Sequence, residues 1–190
     1  MVAPNLQTLK LERCSGLEEI IHDPQVSNIS FQCLREIQVT CCNNLKYIFP
    51  ISVADSLGQL HTLKIKNCSQ LEDIIQDPQV SYINLQSLRE VEVNECNNLK
   101  YLFPQSVAKT LGQLQTLKMS NCSQLEKIIQ GTQVSNISPP QTVGEYWSIY
   151  VRKLKARDVK DIMPTKSSLQ KLIVNDCPQL TPVFISDNLQ

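Results

Sequence analysis

The side chains with chemistry to offer in this 190-residue sequence are eight cysteines, two histidines and a cluster of aromatic and basic residues between 146 and 157. The cysteines are regular: Cys14, Cys42, Cys68, Cys96 and Cys122 follow one another at 28, 26, 28 and 26 residues, and Cys177 comes 55 residues later. Zinc takes its thiolates in close pairs such as C-x-x-C, whereas the only close pair here is the adjacent Cys41 and Cys42. A disulfide framework is the other chemistry that so many cysteines suggest. The amino terminus, MVAPNLQTLKLE, lacks the basic-then-apolar layout of a secretory signal, so a reducing, cytoplasmic setting and free buried thiols are expected. Cys33 and Cys41 stand off this ladder and read as loop thiols, more open to reaction than the rest.

Other catalytic apparatus is hard to find. His22 and His61 occupy non-equivalent places and read as lone surface residues. Gly16, Gly58, Gly112, Gly131 and Gly144 are scattered, with no G-K-S or G-K-T to cradle a phosphate. Acidic pairs such as Glu18 and Glu19 recur with the repeat and read as a solvated rim. The four N-x-S triplets at Asn28, Asn67, Asn121 and Asn136 are chance matches without secretion. No enzyme activity, cofactor or metal is expected.

The elements that carry the cysteines form one phrase, L-x-x-L-x-L-x-x-C-x-x-L. It reads Leu6, Leu9, Leu11, Cys14, Leu17, then Leu34, Ile37, Val39, Cys42, Leu45, and it returns around Cys68, Cys96, Cys122 and Cys177. The alternating L-x-L is a short strand with one buried face, and a unit of 26 to 28 residues fits a leucine-rich repeat. The fold class is therefore α/β: a curved, right-handed leucine-rich-repeat solenoid of about seven repeats. A parallel sheet lines its concave face, with short helices or turns on the convex side. The whole of 1–190 is read as a single domain.

A longer period overlies the first, since residues 42–82 match residues 96–136 at 30 of 41 positions, a duplication unit of 54. Two repeat types alternate within it, CNNLKYIFP from Cys42 and CSQLEDIIQ from Cys68. Both carry an apolar pair after the anchor, among them Ile48 and Phe49, Ile74 and Ile75, Leu102 and Phe103, Val183 and Phe184, expected on the convex side of the core. Ser52 and Asp55 resemble a capping box, with Val53, Leu57 and Leu60 as a helical stripe. Asp23-Pro24 and Asp77-Pro78 favour turns in the other type.

The ruler breaks between Cys122 and Cys177. One register for a degenerate repeat places Val151, Leu154, Ala156, Val159 and Ile162 on the apolar positions, with Val159 as anchor; a rival uses Tyr146, Ile149, Val151 and Leu154. In both, 131–150, with Pro139, Pro140 and Gly144, is an irregular loop.

Charge excludes some partners. With 18 basic and 18 acidic residues, no whole-molecule field draws in nucleic acid, and no window approaches the roughly 18 apolar residues of a membrane span. Binding is expected on the concave face, where two polar columns project from the strands: Lys10, Gln38, Lys64, Glu92, Lys118, Lys155, Ile173, and Glu12, Thr40, Lys66, Asn94, Ser120, Arg157, Asn175. In the first register Arg152, Lys153, Lys155 and Arg157 project from one strand, flanked by Lys118 and Lys171 on its neighbours. Tyr146, Trp147 and Tyr150 precede it. Trp, Tyr and Arg most often anchor protein interfaces, so Arg152, Lys153, Lys155, Arg157, Lys118, Lys171, Trp147 and Tyr150 form the candidate protein-binding set. The bland alternative is that Trp147 packs the loop and the cations are solvated.

The phrase NLKYLFPxSVAxxLGQLxxLKxxNCSQLExII, from Asn98 to Ile129 and again from Asn44 to Ile75, resembles the carboxy-terminal repeats of plant coiled-coil nucleotide-binding leucine-rich-repeat disease-resistance proteins. The resemblance implies a cytosolic, non-catalytic recognition region. Its partner would be a pathogen effector, a guarded host protein or the nucleotide-binding domain of the parent receptor, which it helps hold inactive. The chain has no coiled coil or nucleotide-binding domain, which points to a fragment of such a receptor. An adaptor solenoid of F-box type also places cysteine at the anchor, but continues with an I-T-D-like segment not found here. The third reading is a partial product with no independent role, exposed apolar ends and limited solubility, since solenoids need polar caps.

Overall fold

The computed structural model describes residues 5–21, 31–50, 53, 56–76, 83–130 and 168–180. Each L-x-L phrase is a five-residue strand: β1 (Thr8–Glu12), β2 (Glu36–Thr40), β4 (Thr62–Lys66), β6 (Glu90–Asn94), β8 (Thr116–Ser120) and β10 (Lys171–Asn175). They form one parallel sheet in the order β1-β2-β4-β6-β8-β10. Register follows the repeat, so Leu9, Ile37, Leu63, Val91, Leu117 and Leu172 lie in one row and Leu11, Val39, Ile65, Val93, Met119 and Val174 in the next. In β2, β4, β6 and β8 both rows are buried. The expected solenoid sheet, with strict inward alternation, is what forms.

The chain leaves every strand through a left-handed residue. Arg13, Cys41, Asn67, Glu95, Asn121 and Asp176, each one place before the anchor cysteine, have φ between 50° and 57°. Five of them donate their N–H to the last carbonyl of the next strand: Arg13 to Thr40, Cys41 to Lys66, Asn67 to Asn94 and Glu95 to Ser120 at 2.9 Å, and Asn121 to Asn175 at 3.0 Å. The cysteine that follows fills the space under this corner. Its thiol donates to the carbonyl two residues back, at 3.6 Å for Cys14, 3.5 Å for Cys42, Cys68 and Cys96, 3.3 Å for Cys122 and 3.4 Å for Cys177.

On the convex side the apolar pairs become three-residue strands, β3 (Tyr47–Phe49), β5 (Asp73–Ile75), β7 (Tyr101–Phe103) and β9 (Lys127–Ile129). Their inward residues are buried, as expected, while Val183 and Phe184 lie outside the described residues. β3 pairs with β5 and β7 with β9, but β5 and β7 belong to separate two-stranded sheets. The convex ladder thus breaks at the junction of the 54-residue units while the concave sheet runs through.

The convex helix differs from expectation. Gln105–Thr110 is a 3-10 helix whose N-cap is Pro104, with no side-chain capping bond. Ser52 and Asp55 lie outside the described residues, and this second copy has Ser106 and Lys109 in their places, a pair unable to form the capping box. A hydroxyl inside the turn fastens it to the preceding repeat instead: Thr110 Oγ1 donates to the Val107 carbonyl at 2.9 Å and accepts from the Leu85 N–H at 3.4 Å. Ser56 does the same between Val53, at 2.7 Å, and Phe31, at 2.9 Å. The turns expected at Asp23-Pro24 and Asp77-Pro78 lie outside the described residues.

The degenerate repeat needs correction. β10 pairs directly with β8, Lys171 with Thr116 through Asn175 with Ser120, so no strand bearing Arg152 to Arg157 stands between them in either register. The Cys177 turn has the better match to the Cys122 turn, Val174 continuing the row of Met119, and takes the paired place. Val159 and the loop 131–150 lie outside the described residues. At the other end Leu6, Leu9, Leu11, Cys14, Leu17, Ile20 and Ile21 are only partly buried, unlike their counterparts in the inner turns.

Two outcomes follow. In a background with Cys33 and Cys41 changed to Ser, Ser120→Cys with Asn175→Cys forms a disulfide on mild oxidation. An intervening strand would hold the two Cα atoms about 10 Å apart, beyond the roughly 7 Å a disulfide spans, and no crosslink would be seen by mass spectrometry. Glu95→Asn places at a left-handed corner the residue already used at 67 and 121, and raises unfolding stability by about 0.5–1 kcal/mol in urea melts.

Candidate functional site

The outward residues of the sheet form three columns, of which sequence reasoning found two. The third, Thr8, Glu36, Thr62, Glu90, Thr116 and Lys171, opens each strand. It was missed because its place in the phrase lies next to the leucine that starts the strand, before the alternation becomes visible. It changes the reading of the lysines.

Lys118 Nζ lies 3.2 Å from Glu90 Oε1 and 3.1 Å from Glu92 Oε2, and Lys64 Nζ lies 3.6 Å from Glu90 Oε2. The two glutamates hold the Lys118 amine above its ordinary value, Glu92 contributing most and Glu90 next. Lys118 was expected to extend a basic patch. It is instead the centre of a zwitterionic cluster in which its charge is already matched. Lys171 is exposed at the start of β10, beside Thr116 and one strand from Lys118, so these two expected site residues are neighbours across adjacent strands. Trp147, Tyr150, Arg152, Lys153, Lys155 and Arg157 lie outside the described residues.

Around the cluster the surface is amide-rich. Asn94 Oδ1 accepts from Ser120 Oγ at 2.9 Å and from Asn121 Nδ2 at 3.2 Å, and Asn43 Oδ1 accepts from the Ser69 N–H and Oγ, both at 3.3 Å. These bonds hold the polar side chains in fixed positions on a rigid sheet, a surface suited to reading another surface.

The family described as plant disease resistance protein RPS2-like, leucine-rich repeats, matches residues 1–70 and 69–123, more than half of the sequence. The chain belongs to this family. A curated relative, Protein SUPPRESSOR OF npr1-1, CONSTITUTIVE 1 from Arabidopsis thaliana, is 23% identical over 201 residues, which cover 90% of this chain and 13% of that protein. This disease-resistance repeat region thus spans about an eighth of the length of the relative it matches. No solved structure matches it.

The thiol ladder of these plant leucine-rich repeats is structural in placement. Cys42, Cys68, Cys96, Cys122 and Cys177 are buried, and all eight cysteines are free. Burial pushes the Cys42 thiol up, and Cys96 and Cys177, each donating to the thiol of the turn before, are held protonated well above the ordinary range. Cys33 is exposed, whereas Cys41, half-buried, accepts a bond from Asn67 Nδ2 at 3.5 Å. Among the described residues no three His, Cys, Asp or Glu side chains converge to hold a metal, and no helix is long and apolar enough to cross a membrane.

Changing Lys118 to Gln leaves Glu90 and Glu92 without their shared cation. With Lys118 a third exposed, the expected cost is under about 1 kcal/mol near neutral pH. A lysine with a raised pKa contributes stability in full below its ordinary value near 10.5 and loses it as pH rises further. The gap between wild type and Lys118→Gln in urea melts therefore closes on going from about pH 8 to pH 11, and a gap that persists there assigns the loss to packing.

Proposed function

We propose that this repeat region is a non-catalytic protein-recognition module of a plant immune receptor. The concave sheet would bind a pathogen effector, a guarded host protein or the receptor's own nucleotide-binding domain in the cytoplasm. The observation that carries the reading is the contrast between a core repeated almost without change and an outward surface that varies. Between the 54-residue copies, Lys64 and Lys118 are retained while Lys66 becomes Ser120 and His61 becomes Gln115, and the inward row changes only from Ile65 to Met119. A rigid frame holding variable polar groups at fixed spacing is what recognition of a folded partner requires, because little side-chain order is left to impose on binding. Family membership supports the same role.

The set Arg152, Lys153, Lys155, Arg157, Trp147 and Tyr150 is proposed as a further contact, carried by its composition.

Photo-crosslinking amino acids at Thr40, Asn94 and Ser120, in the last concave column, are expected to capture protein in plant tissue expressing the parent receptor. The same group at Gln76, on the convex side, is not. Crosslinking from Gln76 alone would overturn the concave reading. Unchanged crosslinks in Arg152→Ala, Lys155→Ala, Arg157→Ala would remove that set from the interface.

A further inference from the structure

One rim of the sheet carries charge that the molecule leaves unmatched. Arg35, His61 and Arg89 immediately precede β2, β4 and β6, and their backbones are stacked: the His61 N–H donates to the Arg35 carbonyl at 2.8 Å and the Arg89 N–H to the His61 carbonyl at 2.9 Å. Three consecutive turns thus present a basic side chain at one place. Arg35 and Arg89 are exposed, and neither has an ion pair among the described residues. The imidazole of His61, half-buried, is fixed by Nδ1 against the Gln59 carbonyl at 2.5 Å.

The surroundings offer no internal counter-charge. The rest of this rim, including Gln7, Gln59, Gln86 and Gln115, is neutral in every described turn. The nearest carboxylates belong to the strands and are engaged elsewhere, Glu36 by Gln38 Nε2 at 2.7 Å and Glu90 by Lys64 and Lys118. The opposite rim behaves differently: Glu18, Lys46, Glu72, Lys100 and Glu126 alternate in sign from turn to turn, and Lys46 Nζ meets Glu18 Oε2 at 3.1 Å. That rim neutralises itself. The rim of Arg35, His61 and Arg89 does not.

We infer that the Arg35–His61–Arg89 rim docks an acidic helix of a protein partner, laid along the solenoid axis. The inference rests on the recognition reading above and adds the partner's chemistry. Spacing selects the helix: neighbouring strands lie about 4.8 Å apart and a helical turn rises about 5.4 Å, so carboxylates at i, i+4 and i+7 meet successive rungs. Two exposed arginines supply the planar donors that carboxylates accept in pairs. A nucleic-acid backbone fits less well, because Glu36, Glu90 and Glu92 lie just inside the rim and would repel a chain of phosphates.

The test uses the full 190-residue chain. The probe is a fluorescein-labelled stapled helical peptide with Glu at i, i+4 and i+7, compared with an isomer whose three Glu residues are spread around the helix. Anisotropy at low salt should show the stripe peptide binding, and binding should weaken as salt is raised. Arg35→Glu with Arg89→Glu should weaken it by about tenfold or more, and Arg35→Gln with Arg89→Gln by less, while Lys171→Glu on the concave face leaves it within about twofold. Circular dichroism checks that each variant is folded. Equal binding of the isomer, equal loss in Lys171→Glu, or no loss in either Arg35 and Arg89 variant overturns the assignment. Binding of a single-stranded RNA through the same arginines, in preference to the stripe peptide, overturns it in favour of a nucleic-acid edge. Peptide binding with no concave crosslinks would sink the recognition reading and spare the rim; the reverse result would spare that reading and remove the rim.

Discussion

No turn of this solenoid buries its own leucines. Ile37 and Val39 are fully inaccessible because β1 and β4 flank their strand, whereas Leu9 and Leu11, in the same rows but with a described neighbour on one side only, remain half-buried. Stability is therefore a property of contacts between turns, and identical register from strand to strand is the condition for it. The corner residues enforce that register. A left-handed φ just before each anchor aims the N–H at the next strand and drops the cysteine into the core, so one backbone conformation sets both the hydrogen bond that joins the turns and the packing beneath it.

The requirement for stacking shapes the surface as well. Any outward residue meets its own equivalent about 5 Å away on both sides, so a uniformly repeated charge would repel itself along the whole array. The chain answers this in two places. Glu90 and Glu92 bracket Lys118 across the strands at the centre of the sheet, and Glu and Lys alternate along one rim. The opposite rim, with its two arginines and a histidine, is the exception, and it is the exception that makes it available to another molecule.

How much of this was legible in the sequence depended on how local the cause was. The strands, the inward rows, the cysteine ladder and the convex apolar pairs were all visible, because each is fixed by a residue's place within one repeat. The neutralisation of Lys118 was not, because its partners sit in a neighbouring turn, 26 and 28 residues away, and only strand register brings them together. The corner conformation was half visible: Asn67, Asn121 and Asp176 are residues that tolerate it, but Arg13, Cys41 and Glu95 give no sign of it. The direct pairing of β8 with β10 could not be read from spacing, since the 55-residue interval invites a further turn and only competition for the edge of β8 decides which strand occupies it.

The alternation of the two repeat types bears on how such a gene can change length. Gain or loss of a 54-residue unit by unequal crossing-over keeps Glu opposite Lys along the rim and keeps the hydroxyl of Ser56 or Thr110 above the turn it fastens. Gain or loss of a single repeat sets like against like at the new junction. The array is thus inherited in pairs, and its length evolves in steps of two turns.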